Sequence, residues 1–470
     1  MKPLTKCITL TLTLLLLFSV FAFSATESIP PQDQNVIREA IMRNYVIPID
    51  SQDLEEITPE NLERLLDENS YYLPAWQMRE LVEGFQGEFE GVGIYIFEQD
   101  GEIIVAEPIP GTPAFEAGIL ANDRIVSVDG ESTHGLTLEQ TVRRIKGPEG
   151  TAVTLGIRRT GQKSIIEYEI IRSSIQISSI NSEIIDDEIG YLEVRQFSDY
   201  TTENTLKALE QFEEAAIDQL IIDLRNNPGG LLNEGIEFSR LLMPAGAITH
   251  VLYRDGEISY SSFTEEVPYD TAVILVNEGT ASAAEIFSAA FQDRGRGIII
   301  GQPTYGKGSV QRLYPLPSGA GFKLTEAVYF SPLRNPINDV GIYPDIDLQR
   351  FHPSIDLEEL KTFVTDRRPA LGDEGEDVLA AQQRLQYLGY EIHDEAGYFG
   401  LSTAQAITEF QQDQGTYPYG VLDYSTQRRL TREFQQWLIS PEQDLQLTTA
   451  INYLKGQRSS HENAVPVQIN

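Results

Sequence analysis

Three polar side chains near the middle of the chain could together perform nucleophilic catalysis. Ser282 lies in the segment 280–286, which reads TASAAEI, and Lys307 and Gln311 lie in the segment 303–311, which reads PTYGKGSVQ. A serine hydroxyl becomes a nucleophile when a neighbouring base removes its proton. Lysine can be that base if burial lowers its pKa, because burial penalises the charged ammonium form. These residue types therefore indicate serine catalysis with lysine as the general base.

Each of these side chains also has a common structural use. A serine before a helix is usually an N-cap, a lysine usually lies solvated at the surface, and a glutamine can be an ordinary polar strand residue. Gly306 and Gly308 favour the catalytic interpretation, because they let the backbone bring Lys307 close to a partner. The amide of Gln311 could orient the lysine nitrogen without adding a charge, whereas a carboxylate would raise the lysine pKa.

Histidine, the usual base for a serine, is poorly placed in this sequence. The five histidines are His134, His250, His352, His393 and His461. Two fall in small flanking domains, two follow the core, and His250 begins a strand with no acidic motif nearby. A Ser-His-Asp triad is therefore hard to assemble. The sequence also contains no HExxH or CxxC spacing, so we expect no metal site.

Strands and helices alternate around the candidate residues. The apolar run 219–224 is typical of a buried strand, and a glycine-containing loop, 225–230, and a helix follow it. A second unit repeats this plan with strand 272–276, loop 277–280, helix 283–293 and strand 297–301. Loops at the carboxyl ends of such strands commonly hold the sites of α/β proteins. The start of the second helix would also supply N–H groups suited to an oxyanion beside Ser282.

The first 25 residues are typical of a secretory signal. Lys2 and Lys6 precede an apolar stretch, 8–23, which is followed by small residues. We expect cleavage near Ser24 or Ala25, which would place the mature protein outside the cytoplasmic membrane. The alternative is an uncleaved N-terminal anchor. The single cysteine, Cys7, lies inside this segment, so a cleaved protein would contain no disulfide.

Residues 89–173 change to short strands and glycine-containing turns and resemble a PDZ domain. The loop formed by Gly91, Val92, Gly93 and Ile94 could present successive backbone N–H groups to a C-terminal carboxylate. The adjacent strand edge could then pair with the main chain of a bound peptide. The alternative is that the two glycines only make a tight turn.

Three further segments flank these parts. Residues 26–88 read as helices for packing or dimerisation, without a residue that suggests chemistry. Residues 369–433 contain helical patterns separated by the segments 397–400, which reads GYFG, and 420–423, which reads GVLD, and they resemble the small helical peptidoglycan-binding domain of cell-wall enzymes. The tail 434–470 is polar after Ser440 and contains no recognisable element. The formal net charge of −36 argues against a nucleic-acid binder that works by charge.

The motifs of the central segment together resemble the carboxy-terminal processing (tail-specific) proteases. They are the segment 223–230, which reads DLRNNPGG, and the two segments that carry Ser282 and Lys307. The resemblance covers most of residues 35–360. It implies an α/β multidomain protein whose protease core, 174–360, is a strand–helix spiral of the crotonase/Clp type.

The resemblance also implies roles for individual residues. Ser282 would be the nucleophile, Lys307 the general base and Gln311 the residue that orients the base. The oxyanion hole would consist of the amides of Ala283 and Gly230, although the sequence does not exclude the neighbouring Gly229. No cofactor is implied. We expect protein substrates recognised by their free C-termini, binding to peptidoglycan, and a homodimer.

Two rival functions use the same segments. The first is a catalytically inactive PDZ scaffold attached to the cell wall, and the presence of Ser282, Lys307 and Gln311 together argues against it. The second is an enzyme of acyl-CoA chemistry, because similar strand–helix spirals serve that reaction. Such an enzyme would need neither a PDZ domain nor a wall-binding module.

Overall fold

The computed structural model describes residues 28–462, except 100, 160, 161, 163, 353, 354, 358, 364–366, 439 and 441. The predicted signal segment, with Cys7, lies outside these residues. No helix of the described part is long and apolar enough to cross a membrane. The described chain is a multidomain α/β protein, as predicted.

The N-terminal segment consists of helices and one short strand. They are α1 (Pro31–Asn44), a 3₁₀ turn (Ser51–Leu54), α2 (Pro59–Leu65), β1 (Tyr71–Leu73) and α3 (Ala75–Gln86). Helix α2 begins as its sequence predicts. Pro59 occupies the first turn, and the Thr58 hydroxyl accepts a hydrogen bond from the Asn61 N–H at 3.2 Å.

The next part of the chain forms the PDZ-like domain. Its elements are β2 (Glu88–Gly91), β3 (Ile94–Gln99), β4 (Glu102–Pro108), α4 (Pro113–Ala117), β5 (Arg124–Val128), β6 (Glu131–Ser132), α5 (Leu138–Ile145), β7 (Ala152–Arg158), β8 (Ile166–Ile171) and β9 (Ser173–Gln176). Strands β3, β4, β5, β7 and β8 form one antiparallel sheet in that order, with β6 beside β5. Strands β2 and β9 pair with each other, so the two ends of the domain leave it side by side.

The core contains two sheets and three helices. Its elements are β10 (Ile180–Ile185), β11 (Ile189–Val194), α6 (Thr201–Glu214), β12 (Gln219–Asp223), α7 (Leu232–Leu242), β13 (Gly246–Tyr253), β14 (Gly256–Ser262), β15 (Thr271–Val276), α8 (Ala283–Asp293), β16 (Gly297–Gly301), β17 (Ser309–Pro315), β18 (Gly321–Phe330) and β19 (Ile346–Asp347). The main sheet has the order β10-β11-β12-β15-β16-β19 and is parallel from β11 onward.

Alternate residues of the main sheet pack on opposite sides, as the period of a strand requires. On one side, Leu220, Ile222 and Ile274 belong to a cluster with Phe238 of α7 and Phe287 of α8. Parallel strands buried on both faces read as continuous apolar runs, which explains why β12 and β15 could be predicted.

The second sheet includes a strand from the N-terminal segment. Its order is β1-β18-β13-β14, and β17 also pairs with β18. Ile37 and Ile41 of α1 and Leu62 of α2 pack in one cluster with Phe322 and Leu324 of β18. The N-terminal segment therefore packs against the core. Its predicted part in dimerisation stays a prediction.

The C-terminal part contains four helices, α9 (Glu376–Tyr387), α10 (Leu401–Asp413), α11 (Tyr424–Leu438) and α12 (Leu445–Glu462). The first three enclose Val378, Leu385 and Phe410 and form a small helical module. The expectation that no recognisable element follows Ser440 is wrong, because α12 lies there. Its buried residues Leu447, Ala450 and Leu454 cover the side of the main sheet that carries Ile221, Val273 and Leu275.

A buried ionic cluster fastens α12 to the main sheet. Asp444, just before α12, accepts two hydrogen bonds from Arg225 Nη1 at 2.7 and 2.9 Å, and Arg225 also pairs with Asp223 at the end of β12. The Leu445 N–H donates to the Arg350 carbonyl at 2.8 Å, and Arg350 Nε donates to Asp444 at 3.1 Å. The chain thus leaves the core and returns to it at neighbouring points, with the helical module between them.

Candidate active site

Ser282 lies at a strained turn between β15 and α8. It occupies the N-cap position of the helix with φ +56° and ψ −118°, a conformation that costs free energy for any residue except glycine. The preceding turn is held by Thr280, whose hydroxyl donates to the Leu224 carbonyl at 2.8 Å, and by the Ala281 N–H, which donates to the Asn227 carbonyl at 2.9 Å. The turn therefore joins the two predicted loops and holds Ser282 in the strained conformation.

Glu285 connects the Ser282 turn to the loop that carries Lys307. Its side chain is fully buried, and Oε2 accepts the N–H groups of Ser282 at 2.8 Å and Lys307 at 2.9 Å. Oε1 accepts the Thr304 hydroxyl at 2.5 Å and the Gly306 N–H at 2.7 Å. Burial raises the pKa of Glu285, and these four hydrogen bonds oppose that shift. One carboxylate thus holds the backbones of both proposed catalytic residues.

Tyr329 of β18 makes a second connection between the same two segments. Its hydroxyl lies within hydrogen-bonding distance of the Ser282 carbonyl, at 3.1 Å, and also of the Lys307 carbonyl. The ring is buried, and burial raises the pKa of the phenol far above its usual value. The phenol is therefore a neutral hydrogen-bond donor at physiological pH.

The environment of Lys307 opposes its charge. Burial lowers the pKa of Lys307, while the carboxylates of Asp67, Glu285 and Glu68 oppose this shift to a smaller extent. The glycine after Lys307 lies against the backbone of Asn338. A Cβ at Gly308 would lie 2.2 Å from the Asn338 nitrogen, so no larger residue fits there without movement of the backbone.

Gln311 lies on β17, opposite Thr325 of β18. Its Nε2 donates to Ser309 Oγ at 2.8 Å and to Thr325 Oγ1 at 3.2 Å. Both N–H groups of the amide are therefore used, and Oε1 is its remaining hydrogen-bonding group. The sequence indicates Gln311 as part of the site but does not indicate its bonds to Ser309 and Thr325.

The structure separates the two glycines that the sequence leaves as alternatives for the oxyanion hole. The Gly229 N–H donates to Asn227 Oδ1 at 2.8 Å. In contrast, the N–H groups of Gly230 and Ala283 donate to no group within the described residues. A Cβ at Gly229 would lie 2.6 Å from the Ser282 Cβ, so this loop directly contacts the turn. The arrangement favours Gly230 over Gly229 as the partner of Ala283.

The predicted carboxylate-binding loop connects β2 to β3, and neither strand belongs to the main sheet that precedes Ser282. Gly91 ends β2, Ile94 begins β3, and Gly93 has φ +80°. The carbonyls of Val92 and Gly93 accept hydrogen bonds from within the domain, including one from Thr112 Oγ1 to Gly93 at 3.0 Å. A Cβ at Gly93 would lie 2.3 Å from the Thr112 Cβ, so the loop requires glycine at this position.

Two residues near Lys307 have no sequence signal. Asp67 follows α2 and accepts the Thr325 hydroxyl at 2.7 Å. Lys323 lies on β18, where burial and the charge of Lys307 lower its pKa to about 7. No cluster of His, Cys, Asp or Glu within the described residues could hold a metal ion.

Comparison with known proteins identifies the core, the PDZ-like domain and the helical module. The family model for Peptidase family S41 matches residues 188–348, the PDZ domain model matches residues 104–159, and the model for a putative peptidoglycan binding domain matches residues 374–430. The predicted PDZ and peptidoglycan-binding domains are therefore confirmed.

Among curated relatives, the chain is similar to two proteins of Bacillus subtilis (strain 168). The carboxy-terminal processing protease CtpA is 33% identical over 397 residues, which cover 84% of this chain and 83% of that protein. The carboxy-terminal processing protease CtpB is 30% identical over 425 residues, which cover 88% and 87%. A solved structure, the photosystem II D1 C-terminal processing protease, has 25% identity and a TM-score of 0.44, and the match covers 68% of this chain and 94% of that one.

Proposed function

The chain belongs to the carboxy-terminal processing proteases of peptidase family S41, and we propose that it is a serine endopeptidase with a Ser282–Lys307 dyad. The observation that carries this assignment is the shared carboxylate of Glu285. It binds the backbone of a strained serine at a helix start and the backbone of a buried lysine. This arrangement supports a nucleophile and a base held in a fixed relation.

Proton transfer begins the proposed reaction. Neutral Lys307 accepts the hydroxyl proton of Ser282 as the serine oxygen attacks the peptide carbonyl. The carbonyl oxygen becomes an oxyanion that accepts hydrogen bonds from the N–H groups of Gly230 and Ala283. The C–N bond then breaks, and the lysine ammonium gives its proton to the leaving amine. An acyl-enzyme on Ser282 remains.

Water completes the cycle. Lys307, neutral again, removes a proton from a water molecule that attacks the ester carbon, and the same lysine returns that proton to Ser282 as the acid product leaves. Gln311 orients the lysine nitrogen through its free carbonyl oxygen. Burial supports this use of lysine, because a lower pKa increases the fraction of base that is neutral at a given pH.

We infer that the PDZ domain selects substrates by their free C-termini. The N–H groups of the loop 91–94 would hold the terminal carboxylate, and the edge of β3 would pair with the peptide backbone. The PDZ match and the glycine-dependent conformation of the loop support this role.

We place the mature protein outside the cytoplasmic membrane, attached to peptidoglycan through its helical module. The module match supports the attachment, and the signal-like residues 1–25 support export. We keep cleavage near Ser24 or Ala25, and assembly as a homodimer, as parts of this proposal.

The decisive experiment compares the purified mature chain with its Ser282→Ala and Lys307→Ala variants. Hydrolysis of unfolded protein substrates with apolar C-termini would be measured, together with labelling of the serine by a fluorophosphonate. We expect both variants to lose hydrolysis and Ser282→Ala to lose labelling, with melting temperatures close to that of the wild type. Equal hydrolysis by the wild type and Ser282→Ala would contradict the nucleophile, and no hydrolysis by the wild type would leave only the inactive scaffold.

A further inference from the structure

The N-terminal segment brings a carboxylate to the surroundings of the proposed base. Asp67 lies between α2 and β1, and β1 pairs with β18 so that Tyr71 lies opposite Lys323. The Asp67 N–H donates to the Tyr45 hydroxyl at 2.8 Å, and its Oδ2 accepts the Thr325 hydroxyl at 2.7 Å. Both the backbone and the side chain of Asp67 are therefore held in place.

Thr325 transmits this contact to Gln311. A hydroxyl has only one proton, and an ionised carboxylate can only accept hydrogen bonds. Thr325 must therefore donate to Asp67, so its oxygen is left to accept from Gln311 Nε2, at 3.2 Å. Ser309 accepts the second N–H of the same amide at 2.8 Å. The donor and the acceptor of each of these hydrogen bonds therefore follow from the carboxylate of Asp67.

In the proposed site, where Gln311 orients Lys307, the direction of the amide would decide whether the lysine can act as a base. With Nε2 bound to Thr325 and Ser309, Gln311 has only its carbonyl oxygen to offer the lysine. A carbonyl oxygen accepts an N–H of the neutral amine and leaves its lone pair free for the proton of Ser282. A reversed amide would donate to that lone pair and block it.

The negative charge of Asp67 also fits a role in the proposed peptidase site. The groups around Lys307 are the carboxylates of Asp67, Glu68 and Glu285 and the amine of Lys323. Asp67 Oδ1 is buried and has no hydrogen-bond partner within the part of the chain that the structure describes. An unpaired carboxylate oxygen near Lys307 would stabilise the ammonium that forms when the lysine takes a proton.

We propose that Asp67 is a positioning residue of the peptidase site, which acts through Thr325 to present the carbonyl oxygen of Gln311 to Lys307. This inference rests on the proposed Ser282–Lys307 function. It makes the N-terminal segment part of the catalytic machinery as well as a packing element.

The test measures kcat and KM for single and double variants of the full mature chain on one peptide substrate. We expect Asp67→Ala and Thr325→Val each to lower kcat about 10- to 100-fold with little change in KM, because they release the orientation of an amide and leave the base in place. Thr325→Ser keeps the hydroxyl, so its kcat should lie within about threefold of the wild type.

Double variants separate this proposal from a general loss of structure. In a Gln311→Ala chain, adding Thr325→Val should lower kcat by less than about twofold, because no amide remains to be oriented and the charge of Asp67 is kept. Fully additive losses, or wild-type kcat in Asp67→Ala, would overturn the proposal. If Asp67→Ala does not fold, the same cycle with Thr325→Val decides. A wild-type chain without peptidase activity would instead overturn the proposed function, and this proposal with it.

Discussion

Lys307 shows how the surroundings of a residue set its chemistry. A solvated lysine is almost fully protonated at neutral pH and cannot accept the proton of a serine. Burial works against the ammonium form of Lys307, whereas nearby carboxylates favour it. The same carboxylates would stabilise the ammonium once it forms during the reaction. In the proposed mechanism, the site would therefore balance a neutral resting base against a stabilised ammonium intermediate.

We predict that kcat/KM rises with pH as Lys307 loses its proton. The midpoint should lie below the value of about 10.4 for a free lysine, because burial is the largest influence on the Lys307 pKa. Asp67→Asn keeps a hydrogen-bond acceptor for Thr325 but removes a negative charge. It should therefore lower the Lys307 pKa further and move the rise to a lower pH. Initial rates from pH 5 to 10 would measure both curves.

Two results would contradict this prediction. A rate that does not change between pH 5 and 9 would point to a different base. A shift of the Asp67→Asn curve to higher pH would show that Asp67 does not favour the charged form of Lys307. Glu278→Gln is a suitable control, because Glu278 is exposed and is absent from the carboxylates that influence Lys307.

At the scale of elements, Glu285 ties the start of α8 to the loop before β17. Glu285→Gln should disrupt this connection, because an amide nitrogen would replace one of two oxygens that each accept two hydrogen bonds. We expect kcat to fall about 100-fold and the free energy of unfolding to fall by about 2–4 kcal/mol. Urea titration beside Glu278→Gln would test this, and equal stability of the two variants would refute the role of the carboxylate.

The PDZ domain makes a separate prediction at this scale. The full chain with Ser282→Ala, which should not cleave its ligand, should bind a peptide with an apolar C-terminus about tenfold or more tightly than the amidated peptide. Amidation removes a charge and an acceptor oxygen from the hydrogen bonds of the loop 91–94. Adding Gly93→Ala should abolish the difference, since its Cβ would clash with Thr112. Equal calorimetric affinities for the two peptides would mean that the loop makes a tight turn and does not bind the carboxylate.

Elements with a strong local signal could be predicted from the sequence. The strand β12 and the helix α8 lie where apolar runs and glycine-containing loops place them. The sequence also contains a capping-box pattern, a glutamate three residues after the N-cap serine, which was not used to predict the bond between Glu285 and the Ser282 N–H. The two N–H groups that the Lys307 loop adds to the same carboxylate depend on tertiary structure, which the pattern does not contain.

The parts that could not be predicted depend on contacts between distant segments. Asp67 and Thr325 are 258 residues apart, and nothing in either neighbourhood indicates a contact. Helix α12 has a mostly polar sequence, and its buried apolar residues Leu447, Ala450 and Leu454 form only a narrow stripe. Such a stripe can be recognised as a packing surface only when the face of the main sheet that it covers is known.

At the scale of the whole molecule, the helical module is inserted between two parts of the core and is not an appendage at its end. The Leu348 carbonyl accepts from Gln446 Nε2 at 2.7 Å, and Arg350 bonds to Asp444 at 3.1 Å, so the chain leaves and re-enters the core at one place. Helix α12 then completes the core by covering one face of the main sheet. Arg225, which binds Asp444, belongs to the same loop as Gly230, so this helix also supports the proposed oxyanion hole.

This path predicts opposite results for two deletions. Replacing residues 353–441 with a flexible linker of about six residues should keep peptidase activity within about threefold, because the ends to be joined are already adjacent. The protein should no longer sediment with peptidoglycan. Truncation after residue 352 removes the module and α12, which exposes Ile221, Val273 and Leu275 and leaves Arg225 without Asp444. Loss of a partner from a buried ionic cluster costs about 3–5 kcal/mol, so this chain should unfold or aggregate.

Point variants refine the comparison within the intact chain. Asp444→Ala should lower the melting temperature and reduce kcat through Arg225, whereas Lys455→Ala on the same helix should leave both nearly unchanged, because its bond to Asp186 is exposed. Thermal unfolding, peptide hydrolysis and co-sedimentation with peptidoglycan would be measured on the two deletion variants and the two point variants. A truncated chain that is stable and active would contradict the role of α12, because that chain lacks the helix. An internal deletion that unfolds or loses activity would mean that the core needs the helical module.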